Sequence, residues 1–173
     1  PKEKQVIELP HEILSSDSFM VSMWIYPTEE HSWRCALYVK YETGFFGMIP
    51  IAWEGHSSFR IRDSKEVSGW YDISGCKLQV NEWSHYVVSY NAKTETAYAY
   101  INGQLVGSMK NVPGNRYAKR IVLGGDVFQP SFIGKICEVT FYNEIRDHDF
   151  VSELHQSYVT RDDFIGFEIG IDK

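Results

Sequence analysis

Short segments of alternating apolar and polar residues, separated by turn-forming residues, recur along the whole chain of 173 residues. A period of two is the pattern of a β-strand with one buried face, whereas amphipathic helices repeat every 3.6 residues. We therefore predict many short strands, at positions 5–9, 18–26, 34–40, 45–53, 58–62, 83–90, 96–101, 104–109, 120–124, 135–142 and 164–171. A series of this kind favours antiparallel sheets that pack face to face.

Turn and helix signals refine this pattern. Asn102-Gly103 predicts a two-residue hairpin, because both residues tolerate a positive φ. Near the end of the chain, Asp147 can cap the amides of a first helical turn, and Phe150 and Leu154 share one apolar face. We predict one short helix over 148–156. The predicted fold class is all-β: a two-sheet antiparallel β-sandwich, or jelly roll, with one short C-terminal helix.

The length of the chain indicates its domain organisation, and its charge narrows the classes of possible partner. A chain of 173 residues suits one domain, here 1–173, and its abrupt start beside a strand suggests a piece excised from a larger protein. The net charge is −6 and basic residues do not cluster, which argues against nucleic acid and anionic membrane surfaces. No apolar run reaches the roughly 20 residues of a membrane span.

Three cysteines are present: Cys35, Cys76 and Cys137. They form no C-x-x-C pair, so a zinc site is not indicated. Their number is odd and their spacing shows no pairing. We therefore predict no disulfide, with small buried thiols as the simplest reading.

Five sequence blocks resemble, in the same order, those of the laminin-G-like group of concanavalin-A-like jelly rolls. The blocks are 18–27 (SFMVSMWIYP), 81–90 (NEWSHYVVSY), 100–107 (YINGQLVG), 123–125 (LGG) and 134–143 (GKICEVTFYN). The resemblance spans roughly residues 6–156. It implies a protein that binds, since the family includes lectins, adhesion domains and carbohydrate-binding modules fused to glycoside hydrolases. It also favours an extracellular or cell-surface location.

The resemblance assigns structural roles to some residues and does not decide whether the domain has a calcium site. It implies that Trp24 and Trp83 belong to the core and that His85 is structural. The family usually has Asp where this chain has Cys137, and a thiol is a poor calcium ligand. We expect no cofactor and no metal, although a structural calcium site stays open, with oxygen donors from Asp17, Asp126 and Glu138.

Sequence signatures of catalysis are missing. Glucanases of this fold carry E-x-D-x-E on one strand, which places two carboxylates on one face, and this chain has no such triplet. H-E-x-x-H and G-x-S-x-G do not occur either. Asp147 and Asp149 are two residues apart but lie at the predicted helix start. We therefore predict that the domain is not an enzyme.

Segment 53–72 lies outside the resembling blocks and contains most of the candidate ligand site. Arg60 and Arg62 share one strand face, because side chains alternate, and Asp72 is nearby in sequence. Guanidinium forks match vicinal hydroxyls, and flat rings stack on the C–H face of a sugar. Alternation also directs Tyr98 away from the core. The predicted ligand-binding residues are Trp53, Glu54, Arg60, Arg62, Asp63, Trp70 and Tyr98. A solvated ladder of Arg–carboxylate pairs would give the same pattern.

These observations favour a non-catalytic carbohydrate-binding module appended to a glycan-active enzyme, such as a fructan- or plant-polysaccharide-active glycoside hydrolase. Its expected partners are an oligo- or polysaccharide and the adjacent domains of the parent chain. Two alternatives stay open: a protein-binding adhesion domain, and a structural β-sandwich that supports a neighbouring catalytic domain.

Overall fold

The computed structural model describes residues 6–114 and 117–160, which form eleven strands, one α-helix and two short 3-10 turns. The strands are β1 (Ile7–Leu9), β2 (Phe19–Pro27), β3 (Leu37–Tyr41), β4 (Gly44–Ile49), β5 (His56–Asp63), β6 (Trp70–Lys77), β7 (Ser84–Asn91), β8 (Thr96–Ile101), β9 (Gln104–Met109), β10 (Arg120–Leu123) and β11 (Gly134–Tyr142). The helix α1 spans His148–Val159, and the 3-10 turns span His11–Ile13 and Trp53–Gly55. The predicted strand at 164–171 lies outside the described residues.

The strands form two antiparallel sheets, which confirms the predicted sandwich. The six-stranded sheet has the order β1-β10-β3-β4-β5-β6, and the five-stranded sheet has the order β11-β2-β7-β8-β9. The Asn102-Gly103 hairpin between β8 and β9 is also confirmed, because both residues have positive φ, at 50° and 77°. None of the helices in the described part of the chain is long and apolar enough to cross a membrane.

The core lies between the two sheets, where the inward-pointing side chains of one sheet interdigitate with those of the other. Phe46 of β4 stacks on Phe19 of β2 with ring centroids 5.0 Å apart, so aromatic contacts join the two sheets directly. Each sheet contributes fully buried aliphatic and aromatic residues: Leu37, Val39, Met48 and Phe59 from one, and Val21, Met23, Ile25, Tyr86 and Val88 from the other. Burial of this apolar surface is the main stabilising contribution.

Two edge strands, one from each sheet, pack together along one side of the sandwich. Glycines allow this approach. A Cβ at Gly107 of β9 would lie 2.6 Å from Cγ2 of Ile73 on β6, and one at Gly75 of β6 would lie 3.2 Å from Cγ2 of Val106 on β9. The Cβ at Gly75 would also lie 2.1 Å from Oγ of Ser57 on the neighbouring strand β5. Both positions therefore require the smallest residue. We call this contact between β6 and β9 the glycine seam.

Helix α1 covers the outer face of the five-stranded sheet. It starts where predicted, because the Asp147 side chain accepts a hydrogen bond from the Phe150 N–H at 2.9 Å. It ends at Val159, three residues beyond the predicted end. Val151 is fully buried and packs against Tyr100 and other residues of the sheet, namely Met20 and Val87.

A second cluster under α1 contains stacked aromatic rings. The ring of His85 lies 5.2 Å from that of Trp24 and 5.6 Å from that of His155 on the helix. Nε2 of His85 is 2.7 Å from Oγ of Ser22. Burial, together with neighbouring His155, lowers the pKa of His85 to about 3, so the ring is neutral at pH 7. Trp24 is buried here and Trp83 packs on this cluster, as the sequence blocks imply.

The predicted and observed strands differ most in two places. The predicted strand 45–53 ends at Ile49, since Pro50 cannot donate to a sheet and the chain turns at Trp53–Gly55. The sequence analysis missed β6, whose run of Ser, Gly and Asp residues obscures the alternation of Tyr71 and Ile73.

The three cysteines are separate thiols, as predicted. Cys35 and Cys137 are buried, and Cys76 is half-buried on β6.

Candidate ligand-binding site

Side chains on the outer face of the six-stranded sheet line up in two rows, because directly paired residues of neighbouring strands point the same way. The first row runs across four strands through Tyr38, Gly47, Arg60 and Asp72, and the second runs through Lys40, Phe45, Arg62 and Trp70. Gly47 leaves a gap in the first row. The Cys35 side chain lies beneath that gap, since a Cβ at Gly47 would lie 3.0 Å from its Sγ.

Arg60 forms a bidentate ion pair with its cross-strand partner Asp72. Its Nε donates to Oδ1 at 2.6 Å and its Nη2 donates to Oδ2 at 3.0 Å. Oδ1 of Asp72 also accepts a hydrogen bond from Ser58 at 3.2 Å. Two parallel hydrogen bonds fix the plane of the guanidinium as well as its position.

Three tryptophan rings surround the same guanidinium. Cζ of Arg60 lies 4.5 Å from the ring centroid of Trp33, 5.0 Å from that of Trp53 and 4.7 Å from that of Trp70. The Trp33 and Trp53 rings meet edge to face, with centroids 4.4 Å apart. These distances are within the range of cation–π attraction.

Two turns with unusual backbone geometry bring Trp33 and Trp53 to this position. Trp33 has φ 69° and Glu54 has φ 52°, a left-handed conformation that is costly for residues with a side chain. The Trp33 N–H donates to the Ile51 carbonyl at 2.8 Å, and the Ala52 N–H donates to the His56 carbonyl at 2.7 Å. Such conformations persist where the surrounding structure demands them, and they concentrate at functional sites.

Arg62 stabilises the turn between β5 and β6 and supports Trp70. Its Nη1 donates to the carbonyls of Asp63 and Glu66, and its Cζ lies 5.0 Å from the Trp70 ring. Asp63 is buried in the same turn, where Oδ1 accepts the Lys65 N–H at 2.9 Å. The role that the structure shows for Asp63 is therefore to hold this turn.

Phe45 and Phe128 extend the aromatic surface away from the tryptophans. The Phe45 ring lies 5.9 Å from Trp70 and 5.5 Å from Phe128. The loop that carries Phe128 is held by the buried Asp126, whose Oδ1 accepts the N–H groups of Phe128 and Gln129 at 2.6 and 2.7 Å. Burial and the adjacent Asp126 carboxylate raise the pKa of the Cys35 thiol, so this thiol is protonated.

Together these residues form one surface, which we call the aromatic–arginine face: Trp33, Tyr38, Phe45, Trp53, Arg60, Arg62, Trp70, Asp72 and Phe128. Three of its residues are about half exposed or more, with exposed fractions of 47% for Trp53, 48% for Trp70 and 64% for Phe128. Monomeric proteins seldom leave several large rings exposed side by side without a function.

The structure brings together most of the residues predicted for the site. Trp53, Arg60, Arg62 and Trp70 lie on the aromatic–arginine face, and Glu54 is exposed in the same turn as Trp53. Asp63 lies at its border.

The placement of Tyr98 on this surface is wrong. Tyr98 belongs to β8 of the five-stranded sheet and packs in the Tyr100 cluster under α1. Alternation directs Tyr98 away from the core, as predicted, but to the outer face of the other sheet.

Sequence reasoning missed four aromatic residues of the face: Trp33, Tyr38, Phe45 and Phe128. Trp33 and Phe128 lie in loops far from 53–72 in sequence, and no local pattern links them to Arg60. Phe45 could have been found from alternation, because it points away from the core residue Phe46.

Metal ligands are not grouped in the part of the chain that the structure describes: no group of three or more His, Cys, Asp or Glu side chains there could hold a metal ion. Of the proposed calcium donors, Asp126 binds loop amides, as described above. Glu138 has φ 50° and lies at the β-bulge between Cys137 and Thr140 of β11.

The chain belongs to the Concanavalin A-like lectin/glucanases superfamily, since a laminin-G-type family profile matches residues 1–152. This confirms the resemblance drawn from the five sequence blocks. A search of the curated proteins found no match.

Solved structures with the same fold include two domains with bound oligosaccharides. Domain 4 of AbnA, a GH43 extracellular arabinanase from Geobacillus stearothermophilus, was solved with arabinotriose; it is 25% identical, with a TM-score of 0.75 over 87% of this chain and 72% of that one. The CBM40 of the Ruminococcus gnavus IT-sialidase, bound to alpha2,3 sialyllactose, is 13% identical, with a TM-score of 0.72 over 90% of this chain and 94% of that one. A SAP-like pentraxin from Limulus polyphemus is 15% identical, with a TM-score of 0.68 over 90% and 77%.

Proposed function

We propose that this domain is a non-catalytic carbohydrate-binding module that serves a glycan-active enzyme, and that its ligand is a plant polysaccharide. The observation that carries this proposal is the set of exposed rings on the aromatic–arginine face. The centroids of Trp53 and Trp70 both lie within 5.0 Å of the same Arg60 carbon, so the two rings are less than about 10 Å apart. One short oligosaccharide can therefore stack on both.

The solved domain with 25% identity supports a choice of ligand. That domain belongs to an arabinanase and was solved with arabinotriose. Arabinan is therefore the first candidate polysaccharide, and fructan, which the family resemblance suggests, is the second. Both are neutral chains with apolar C–H faces that can stack on aromatic rings.

The chemistry of the face supports binding rather than hydrolysis. Glycosidases need one carboxyl group as an acid and a second as a nucleophile or base. Asp72 uses both oxygens to accept from Arg60, and Asp126 is buried and holds loop amides. A carboxylate engaged in this way is poorly suited to donating a proton to a glycosidic oxygen.

Isothermal titration with arabinotriose, inulin-type fructo-oligosaccharides and sialyllactose tests this proposal. We expect wild-type protein to bind one of the neutral oligosaccharides, and Trp53→Ala and Trp70→Ala each to weaken that binding roughly tenfold, as loss of a stacking ring predicts. Tyr98→Ala is the matched control, because it removes an aromatic ring from the opposite sheet and should leave affinity unchanged.

Incubation with the same oligosaccharides should release no product. If no carbohydrate binds the folded wild-type domain, or if Tyr98→Ala reduces affinity as much as Trp70→Ala does, the proposal is wrong. Product release that depends on a single carboxylate would contradict its non-catalytic part.

A further inference from the structure

The three tryptophans of the aromatic–arginine face come from three separate parts of the chain, yet they converge on one side chain. Trp33 lies before β3, Trp53 lies in the turn after β4, and Trp70 begins β6. Arg60, on β5 between them, is the residue whose guanidinium contacts all three rings. Without this group, two loop residues and an edge-strand residue would lack their common packing partner.

The guanidinium is held in a way that suits this role. Its two hydrogen bonds to Asp72 orient its plane, and the side chains of Arg60 and Asp72 are only 22% and 16% exposed. Partial dehydration strengthens both the ion pair and the attraction between the cation and the ring faces. Asp72 takes two of the five N–H donors of Arg60, which leaves fewer of them for a sugar.

We infer that Arg60, oriented by Asp72, is a positioning residue that holds Trp33, Trp53 and Trp70 in place for glycan stacking. The part that concerns glycan rests on the function proposed above, whereas the positioning of the rings can be tested without any ligand. Arg60 then acts on affinity through the rings, because rings that are already ordered lose less freedom when a sugar binds.

The ligand-free test uses the indole N–H signals of the five tryptophans in ¹H–¹⁵N NMR spectra. Heteronuclear NOE values report how strongly each ring is ordered on the fast timescale. In Arg60→Ala and in Asp72→Asn, we expect lower NOE values for Trp33, Trp53 and Trp70. Trp24 and Trp83 pack under α1 and should keep their wild-type values, so each spectrum contains its own control.

The matched control variant is Arg120→Ala. Arg120 lies on the same sheet and pairs with Glu8 at 2.9 Å, but its ion pair is largely exposed. This variant should leave all five indole signals as they are. Arg60→Lys keeps the positive charge but loses the planar fork, so it should restore ring order only in part. Should Arg60→Ala fail to fold, Asp72→Asn and Arg60→Lys carry the same test.

Titration with arabinotriose adds the second readout. We expect roughly tenfold weaker binding for Arg60→Ala, an intermediate affinity for Arg60→Lys and wild-type affinity for Arg120→Ala. Unchanged NOE values for the three rings in Arg60→Ala overturn the inference. Weaker binding with unchanged NOE values also overturns it, since Arg60 would then contact the sugar directly. If wild-type protein binds no arabinotriose or other probe, the proposed function fails while the NOE comparison still decides the positioning role.

Discussion

The two outer faces of the sandwich carry similar aromatic side chains, but those of one face are covered and those of the other are exposed to solvent. On the five-stranded sheet, Trp24, His85 and Tyr100 are covered by α1 and form a second core. On the six-stranded sheet, the rings of Trp53 and Trp70 stay about half exposed. The described part of the chain provides a helix for the first face and only loops at the border of the second.

This comparison shows that the role of an outward-pointing aromatic residue on a strand depends on whether another element covers it. The helix-covered face contributes to stability, since its rings are removed from water. The aromatic–arginine face keeps its rings ordered by contact with Arg60 and leaves their outer surfaces free. The same residue type therefore contributes to stability on one face and, in the function proposed above, to glycan binding on the other.

The largest expected effect comes from a charge placed under α1. Val151→Asp would bury a carboxylate among apolar side chains, and we expect it to lower the free energy of unfolding by about 3–5 kcal/mol, measured by urea denaturation. Val127→Asp is the matched control, because Val127 is half exposed in the loop beside the aromatic–arginine face. It should change stability by less than about 0.5 kcal/mol. Equal effects would show that α1 does not pack as described.

A smaller effect is expected from pH, through the stacked histidines of the same covered face. Unfolded His85 takes up a proton near pH 6.5, whereas burial keeps its folded pKa at about 3, and burial lowers the pKa of His155 as well. The contribution of neutral His85 is thus complete above pH 6.5 and is lost as pH falls toward 3. We expect the lowered pKa of His85 to reduce stability by about 2 kcal/mol between pH 7 and pH 5.

Urea denaturation at a series of pH values measures this slope. His85→Gln should flatten it, because the variant has no buried imidazole at this position. A slope that His85→Gln leaves unchanged would assign the pH dependence to other groups.

The smallest effect concerns the three thiols, which are distributed between the two outer faces and the edge strand β6. Cys35 is buried beneath the aromatic–arginine face and Cys137 is buried under α1, whereas Cys76 is half-buried on the edge strand β6. We expect a thiol reagent to label Cys76 first in the folded protein, and reduction to leave the mass unchanged. Labelling that Cys76→Ser does not slow would show that one of the two faces opens readily.

The sequence predicted the sandwich because alternation and turn residues act locally. Asn102-Gly103 and the Asp147 cap could be identified from a few neighbouring residues. Part of the candidate site could be predicted in the same way, since Arg60 and Arg62 share a face on any strand. The place of Trp33 in the site could not be predicted, because a left-handed turn and a hydrogen bond to Ile51 bring it to Arg60. The misplacement of Tyr98 has a related cause: alternation tells inside from outside, but it does not tell which sheet a strand joins.

The glycine seam has a consequence for the solubility of the domain. Edge strands offer unpaired backbone groups to other chains, and proteins avoid aggregation by covering or distorting such edges. Here β6 and β9 protect each other, because Gly75 and Gly107 let the two sheet edges approach closely. The edge strand that carries Trp70 and Asp72 is therefore shielded along part of its length. A bulkier residue at Gly107 would favour self-association of the protein as well as disturb the position of these two side chains.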